Sequence, residues 1–124
     1  MDIELTQICN PGGEFEYIML RVNRDCNLRK YMIYDTTYDQ EGNISNKLPH
    51  FFRFPDLYVR SQNTPIIRLY TTKNYRIQEW VDPRKVNNLI LSWRLNETIW
   101  NREGDKATLI EVADEDEIIY YRQQ

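Results

Sequence analysis

Trp100-Asn101-Arg102-Glu103-Gly104-Asp105-Lys106-Ala107-Thr108-Leu109-Ile110 decides the reading of the chain. It joins an aromatic anchor, a tight polar turn centred on Gly104, and a strand that alternates from Ala107 onward. Glycine reaches a positive φ without a Cβ penalty, so the turn closes sharply. Asp105 bonds backbone amides within the turn, and Ala107, Leu109 and Glu111 then point one way. A further β-prone run, Ile118-Ile119-Tyr120-Tyr121, follows the acidic corner Asp114-Glu115-Asp116-Glu117. These two strands are expected to form the closing hairpin of a small β-sandwich.

Working back from that hairpin, the chain is a series of short, turn-punctuated strands. Ile3 to Ile8 alternates loosely and stops at Asn10-Pro11-Gly12-Gly13, a cluster of turn formers. From Phe15 to Val22, the residues Ile18, Leu20 and Val22 share one face. The β pattern restarts over Leu28 to Asp35, and the polar stretch from Thr36 to Pro49 reads as a long surface loop. Phe51-Phe52-Arg53-Phe54 is halted by Pro55, which cannot donate to a ladder, with Phe52 and Phe54 facing the core. Leu57 to Val59, Ile66 to Thr71, Tyr75 to Val81 and Leu89 to Trp93 complete the set. Pro83 to Leu91 is the only stretch where a helix fits. No fixed-period repeat occurs. The pattern predicts one all-β sandwich domain spanning residues 1–124.

Composition agrees. A chain of 124 residues fits one domain, and its nine tyrosines and few glycines lean towards β structure. The net charge of -3 excludes a nucleic-acid binder by bulk charge. No apolar run is long enough to span a bilayer, so no membrane insertion is expected. The first residues lack the basic and apolar regions of a signal peptide, which reads as cytoplasmic if Met1 is the native start. Cys9 and Cys26 match no metal spacing and read as free thiols, at least partly buried.

The order of motifs resembles the lamin tail domain, the immunoglobulin-like sandwich of nuclear lamins that also stands alone in bacterial proteins. The resemblance spans nearly the whole chain. It is carried by the opening strand and turn from Ile3 to Gly13, and by Glu16-Tyr17-Ile18-Met19-Leu20-Arg21-Val22-Asn23. Leu28-Arg29-Lys30-Tyr31-Met32-Ile33, Phe52-Arg53-Phe54-Pro55, the strand from Ile66 to Thr71 and Trp100-Asn101-Arg102-Glu103-Gly104-Asp105 complete it. Lys30-Tyr31 stands where the family has glycine-tryptophan, Asp114 to Glu117 replaces a glycine-bearing hairpin, and Lys73 to Leu95 is longer than its counterpart. The resemblance implies a non-enzymatic module.

The residues themselves also argue against catalysis. His50, the only histidine, would need an orienting carboxylate or nucleophile, and Asp56 is the nearest acid in sequence. No phosphate loop, nucleophile elbow or metal-ligand spacing occurs, so no cofactor is expected. The acidic run from Asp114 to Glu117 has calcium-type ligands but reads as a solvated turn. Asn43-Ile44-Ser45 and Asn96-Glu97-Thr98 match the glycosylation sequon and, if Met1 is the native start, are expected to be chance matches.

The middle of the chain is basic and aromatic. With Ile67 and Leu69 inward, Arg68 and Tyr70 face out, and the same parity turns Arg53 out. Arg53, Tyr58, Arg60, Arg68, Tyr70, Lys73 and Arg76 then form a candidate interaction surface, because Arg and Tyr are favoured at protein hot spots and on phosphate backbones. The alternative is a solubilising outer face. Two binding functions follow: a non-catalytic module for protein–protein interaction or structural assembly, self-association included, and an accessory nucleic-acid-binding module using the Arg/Tyr face.

Overall fold

The computed structural model describes residues 1–36, 41, 49–100 and 104–122. The bulk of the expected 36–49 loop, the Asn43 sequon and Asn101-Arg102-Glu103 lie outside the described residues. The described residues form ten strands: β1 (Ile3–Cys9), β2 (Tyr17–Val22), β3 (Cys26–Asn27), β4 (Tyr31–Thr36), β5 (Phe51–Arg53), β6 (Tyr58–Val59), β7 (Ile66–Tyr70), β8 (Gln78–Val81), β9 (Asn87–Ser92) and β10 (Lys106–Glu111). The one helical element among the described residues is a 3-10 turn, Leu28–Lys30. The protein is an all-β sandwich.

Alternation in the sequence builds the large sheet, whose order is β1-β2-β7-β9-β8. Ile18, Leu20 and Val22 of β2 are buried, as are Ile67 and Leu69 of β7 and Leu89 and Leu91 of β9. Register lines these residues up: Leu5, Leu20, Ile67 and Leu89 form one inward row, and Ile8, Ile18, Leu69 and Leu91 form the next. The facing sheet runs β10-β4-β5. There Ile33 sits between Leu109 and Phe52. A short β3-β6 pair, Leu28, Phe54, Ile99 and Trp100 join the same core. Burying each of these side chains is worth about 1.5–3 kcal/mol, so the two inner faces supply most of the driving force.

The two halves of the chain are also tied by polar groups. The Glu16 carboxylate is fully buried. It accepts the backbone N–H groups of Gly12 at 3.0 Å, Ile99 at 3.1 Å and Trp100 at 3.0 Å. A buried carboxylate is tolerated only when its oxygens are filled in this way. Lys30 spans Asp2 at 3.0 Å and Glu111 at 3.1 Å, linking the start of β1 to the end of β10.

Two local expectations are corrected. The closing hairpin does not form: β10 pairs antiparallel with β4, from Lys106 opposite Thr36 to Glu111 opposite Tyr31. Ile118 to Tyr121 is not a strand, and Ile118 is 98% exposed. Four consecutive carboxylates without glycine make a poor hairpin turn, and a run apolar at every position has no polar face to offer solvent. Pro83 to Leu91 is not a helix. Asp82 accepts the N–H groups of Arg84 and Val86, Lys85 takes φ 63°, and the chain turns directly into β9. In the large sheet, β9 inserts between β7 and β8, pairing parallel with the former and antiparallel with the latter. The expected turn at Gly104 does carry a positive φ, 92°.

Candidate functional site

The outer face of the five-stranded sheet holds the densest group of hot-spot side chains. Strand parity puts Tyr17 and Met19 of β2, Arg68 and Tyr70 of β7, Ile90 of β9 and Trp80 of β8 on this face, opposite the buried rows. Arg68 lies at the centre. Its guanidinium is 4.9 Å from the ring centroid of Tyr17 on one side and 4.9 Å from that of Trp80 on the other. Each contact is a cation–π interaction worth about 0.5–2 kcal/mol.

A polar chain behind the guanidinium fixes its orientation. Arg68 Nε donates to Asn88 Oδ1 at 2.9 Å, and Asn88 Nδ2 donates to Asp82 Oδ2 at 3.2 Å and to the Val86 carbonyl at 3.0 Å. Asn88 is buried. Hydrogen bonding from the Val86 amide, reinforced by Asn88 and Arg84, holds the Asp82 carboxyl below its ordinary value. With Nε occupied by Asn88, the terminal N–H groups are the remaining donors of the guanidinium.

Aromatic rings extend the platform. Tyr17 and Tyr70 are 5.0 Å apart between centroids, and Tyr70 meets Tyr75 edge-on at 5.1 Å. Tyr70, Tyr75, Gln78, Trp80 and Ile90 line an open cavity of about 250 Å³. Burial, followed by a hydrogen bond with Cys9, pushes the Tyr17 phenol up to about 12, so it is a neutral surface group at physiological pH.

The structure does not gather the seven candidate residues on one surface. Arg68 and Tyr70 are on the platform, and Arg76 is exposed beside it, just before β8. Tyr58 and Arg60 border a separate cavity at the end of the sandwich with Ile77 and Glu79. Arg53 pairs with Met32 on the outer face of the small sheet, on the far side of the core. It binds Glu115 at 2.6 Å and the Arg29 carbonyl at 3.2 Å. Lys73 is taken by Glu14 at 2.5 Å and lies over the Phe15 ring. Two of the five cations are thus already neutralised.

Tyr17, Trp80 and Asn88 are absent from the sequence-derived set. Their signal is parity combined with register: all three occupy outward positions, but sequence alone does not show that β2 and β8 flank β7 and β9.

At His50, the orienting carboxylate is Asp35 rather than Asp56. Asp35 is buried and accepts the His50 amide at 2.5 Å and meets Nδ1 at 3.1 Å, whereas Asp56 accepts from Asn27. Neither contact brings a nucleophile to the imidazole. Cys9 and Cys26 are free thiols, half-buried and buried respectively, and burial raises the Cys26 thiol above its usual value. Among the described residues, no group of three or more histidine, cysteine or acidic side chains is placed to hold a metal ion. No helix there is long and apolar enough to cross a membrane.

No family model matches the chain, and neither a curated protein nor a solved structure does.

Proposed function

We propose that this sandwich is a non-catalytic, lamin-tail-like module of immunoglobulin-like type that binds a protein partner through the outer face of its five-stranded sheet. The observation that carries this reading is the Arg68 guanidinium held between Tyr17 and Trp80. Arginine, tryptophan and tyrosine are the residues that dominate interface energetics. Here the cation is oriented through Asn88 before any partner arrives, which lowers the ordering cost of association. The site fits a partner segment that places a carboxylate on Arg68 and an apolar side chain in the adjoining aromatic cavity.

Nucleic-acid binding is the weaker reading, because Arg53 and Lys73 already have carboxylate partners and phosphate-driven affinity needs several free cations.

The test is quantitative affinity capture with wild-type protein, Arg68→Ala and Trp80→Ala. A partner recovered by wild type and depleted at least about tenfold by both variants, which corresponds to about 1.4 kcal/mol, supports the site. Recovery unchanged by either variant removes it. Anisotropy with labelled DNA at about 50 and 200 mM salt distinguishes the other reading, since phosphate binding collapses over that range.

A further inference from the structure

The most exposed apolar segment of the chain plays no part in the outer-face site. Ile118 is 98% exposed, Tyr120 90%, Tyr121 77% and Ile119 64%. Four consecutive exposed residues of the β-branched and aromatic types do not belong on a solvated surface unless they have a role there. They are also the residue types most at home in a strand, and the fold of one copy leaves them unpaired.

One sheet edge offers the matching vacancy in backbone bonding. β8 is the terminal strand of the large sheet. The Asp82 amide bonds the Val86 carbonyl, and hydrogen-bonded pairs alternate along an antiparallel ladder. Trp80 and Gln78 therefore direct their backbone groups at β9, whereas Ile77, Glu79 and Val81 direct theirs outward. The strand is short, four residues, but carries no lysine, proline or bulge. By contrast, β1 at the opposite edge is interrupted by a bulge between Leu5 and Gln7. Ile77 and Val81 are 55% and 60% exposed beside this edge.

Charge sets the orientation. The edge's own carboxylates are turned inward, Glu79 to the Thr64 hydroxyl and Asp82 to its turn. Arg84 and Lys85, just past the C-terminal end of β8, have no ion-pair partner among the described residues, and Arg76 precedes β8. The exposed segment is preceded by four acids, of which Glu115 binds Arg53. An antiparallel approach sets this acidic run against Arg84 and Lys85, whereas a parallel approach sets it against Arg76 alone.

We propose that residues 117–121 act as a donor strand that adds antiparallel to the β8 edge of a second copy of this chain. Reciprocal addition gives a two-fold dimer with the same contacts at both ends. The exchanged strand sets Ile119 and Tyr121 beside Ile77 and Val81, and Ile118 and Tyr120 on the opposite face beside Trp80.

Sedimentation velocity of the full chain between about 1 and 100 µM, a range that brackets modest interface affinity, tests this. A concentration-dependent dimer is expected. Val81→Pro removes an outward N–H without breaking the β8–β9 ladder, and it should weaken the dimer at least about tenfold, as should Ile119→Asp. Circular dichroism identical to wild type shows that both variants remain folded. Reversing Arg84 and Lys85 to glutamate should weaken association, and adding Asp116→Lys and Glu117→Lys should restore it. A monomer throughout the range overturns the proposal. So does a dimer indifferent to Val81→Pro, or amide protection of residues 118–121 in a monomeric sample, which would place the strand on its own copy.

Discussion

Glu16 shows how one side chain can hold distant parts of this chain together. Its oxygens satisfy amides from the turn before β2 and from the segment that leads towards β10. Removing the carboxylate strands three N–H groups, two of them in buried bonds, and each stranded group costs about 1–3 kcal/mol. Glu16→Ala should therefore lose about 3 kcal/mol or more in urea unfolding, and Glu16→Gln less, because an acceptor remains. Asp2 gives a pH prediction. Its hydrogen bond to Lys30, with the Arg24 cation beside it, holds the carboxyl below 3.8. A folded pKa below the unfolded one contributes stability above about pH 4 that is lost as pH falls through the folded value. Thermal melts should fall on acidification below about pH 4, and Asp2→Asn should flatten that part of the profile.

At the scale of elements, the segment after β10 contributes little to the stability of one copy. Its only ion pair to the body is Glu115 with Arg53, among the described residues, and both side chains are more than a third exposed. Deleting residues 113–124 should cost less than about 1 kcal/mol. The same deletion should abolish dimer formation, which separates the tail's role in assembly from any role in folding. Inward-facing alternation was legible in the sequence. Ile18, Leu20 and Val22, Ile67 and Leu69, and the proline stop after Phe54 all stand where spacing places them. The partner of β10 was not, because neighbouring strands in sequence are the default partners, and nothing local reveals that Leu109 meets Ile33. The same gap hid the platform: Arg68 and Tyr70 could be turned outward by parity, but Tyr17 and Trp80 reach Arg68 only through the sheet order.

For the whole molecule, long-range pairing dominates. β4 meets β10 and β7 meets β9 across long stretches of chain, and closure of such loops precedes any gain from contact. Stopped-flow refolding should give a main phase of roughly milliseconds to seconds rather than microseconds.

The place of β9 between β7 and β8 adds a constraint on the order of events. During synthesis from the N-terminus, β8 emerges ahead of the strand that must lie between it and β7. Until then, β7 presents an open edge against which β8 can settle in a non-native antiparallel pairing. The bonds from Asp82 to Arg84 and Val86 give the later hairpin a means to close by itself and enter the sheet as a unit. If that is the route, Asp82→Ala should slow folding more than it speeds unfolding. A chevron in which only the unfolding limb moves would show that the sheet is completed by another path.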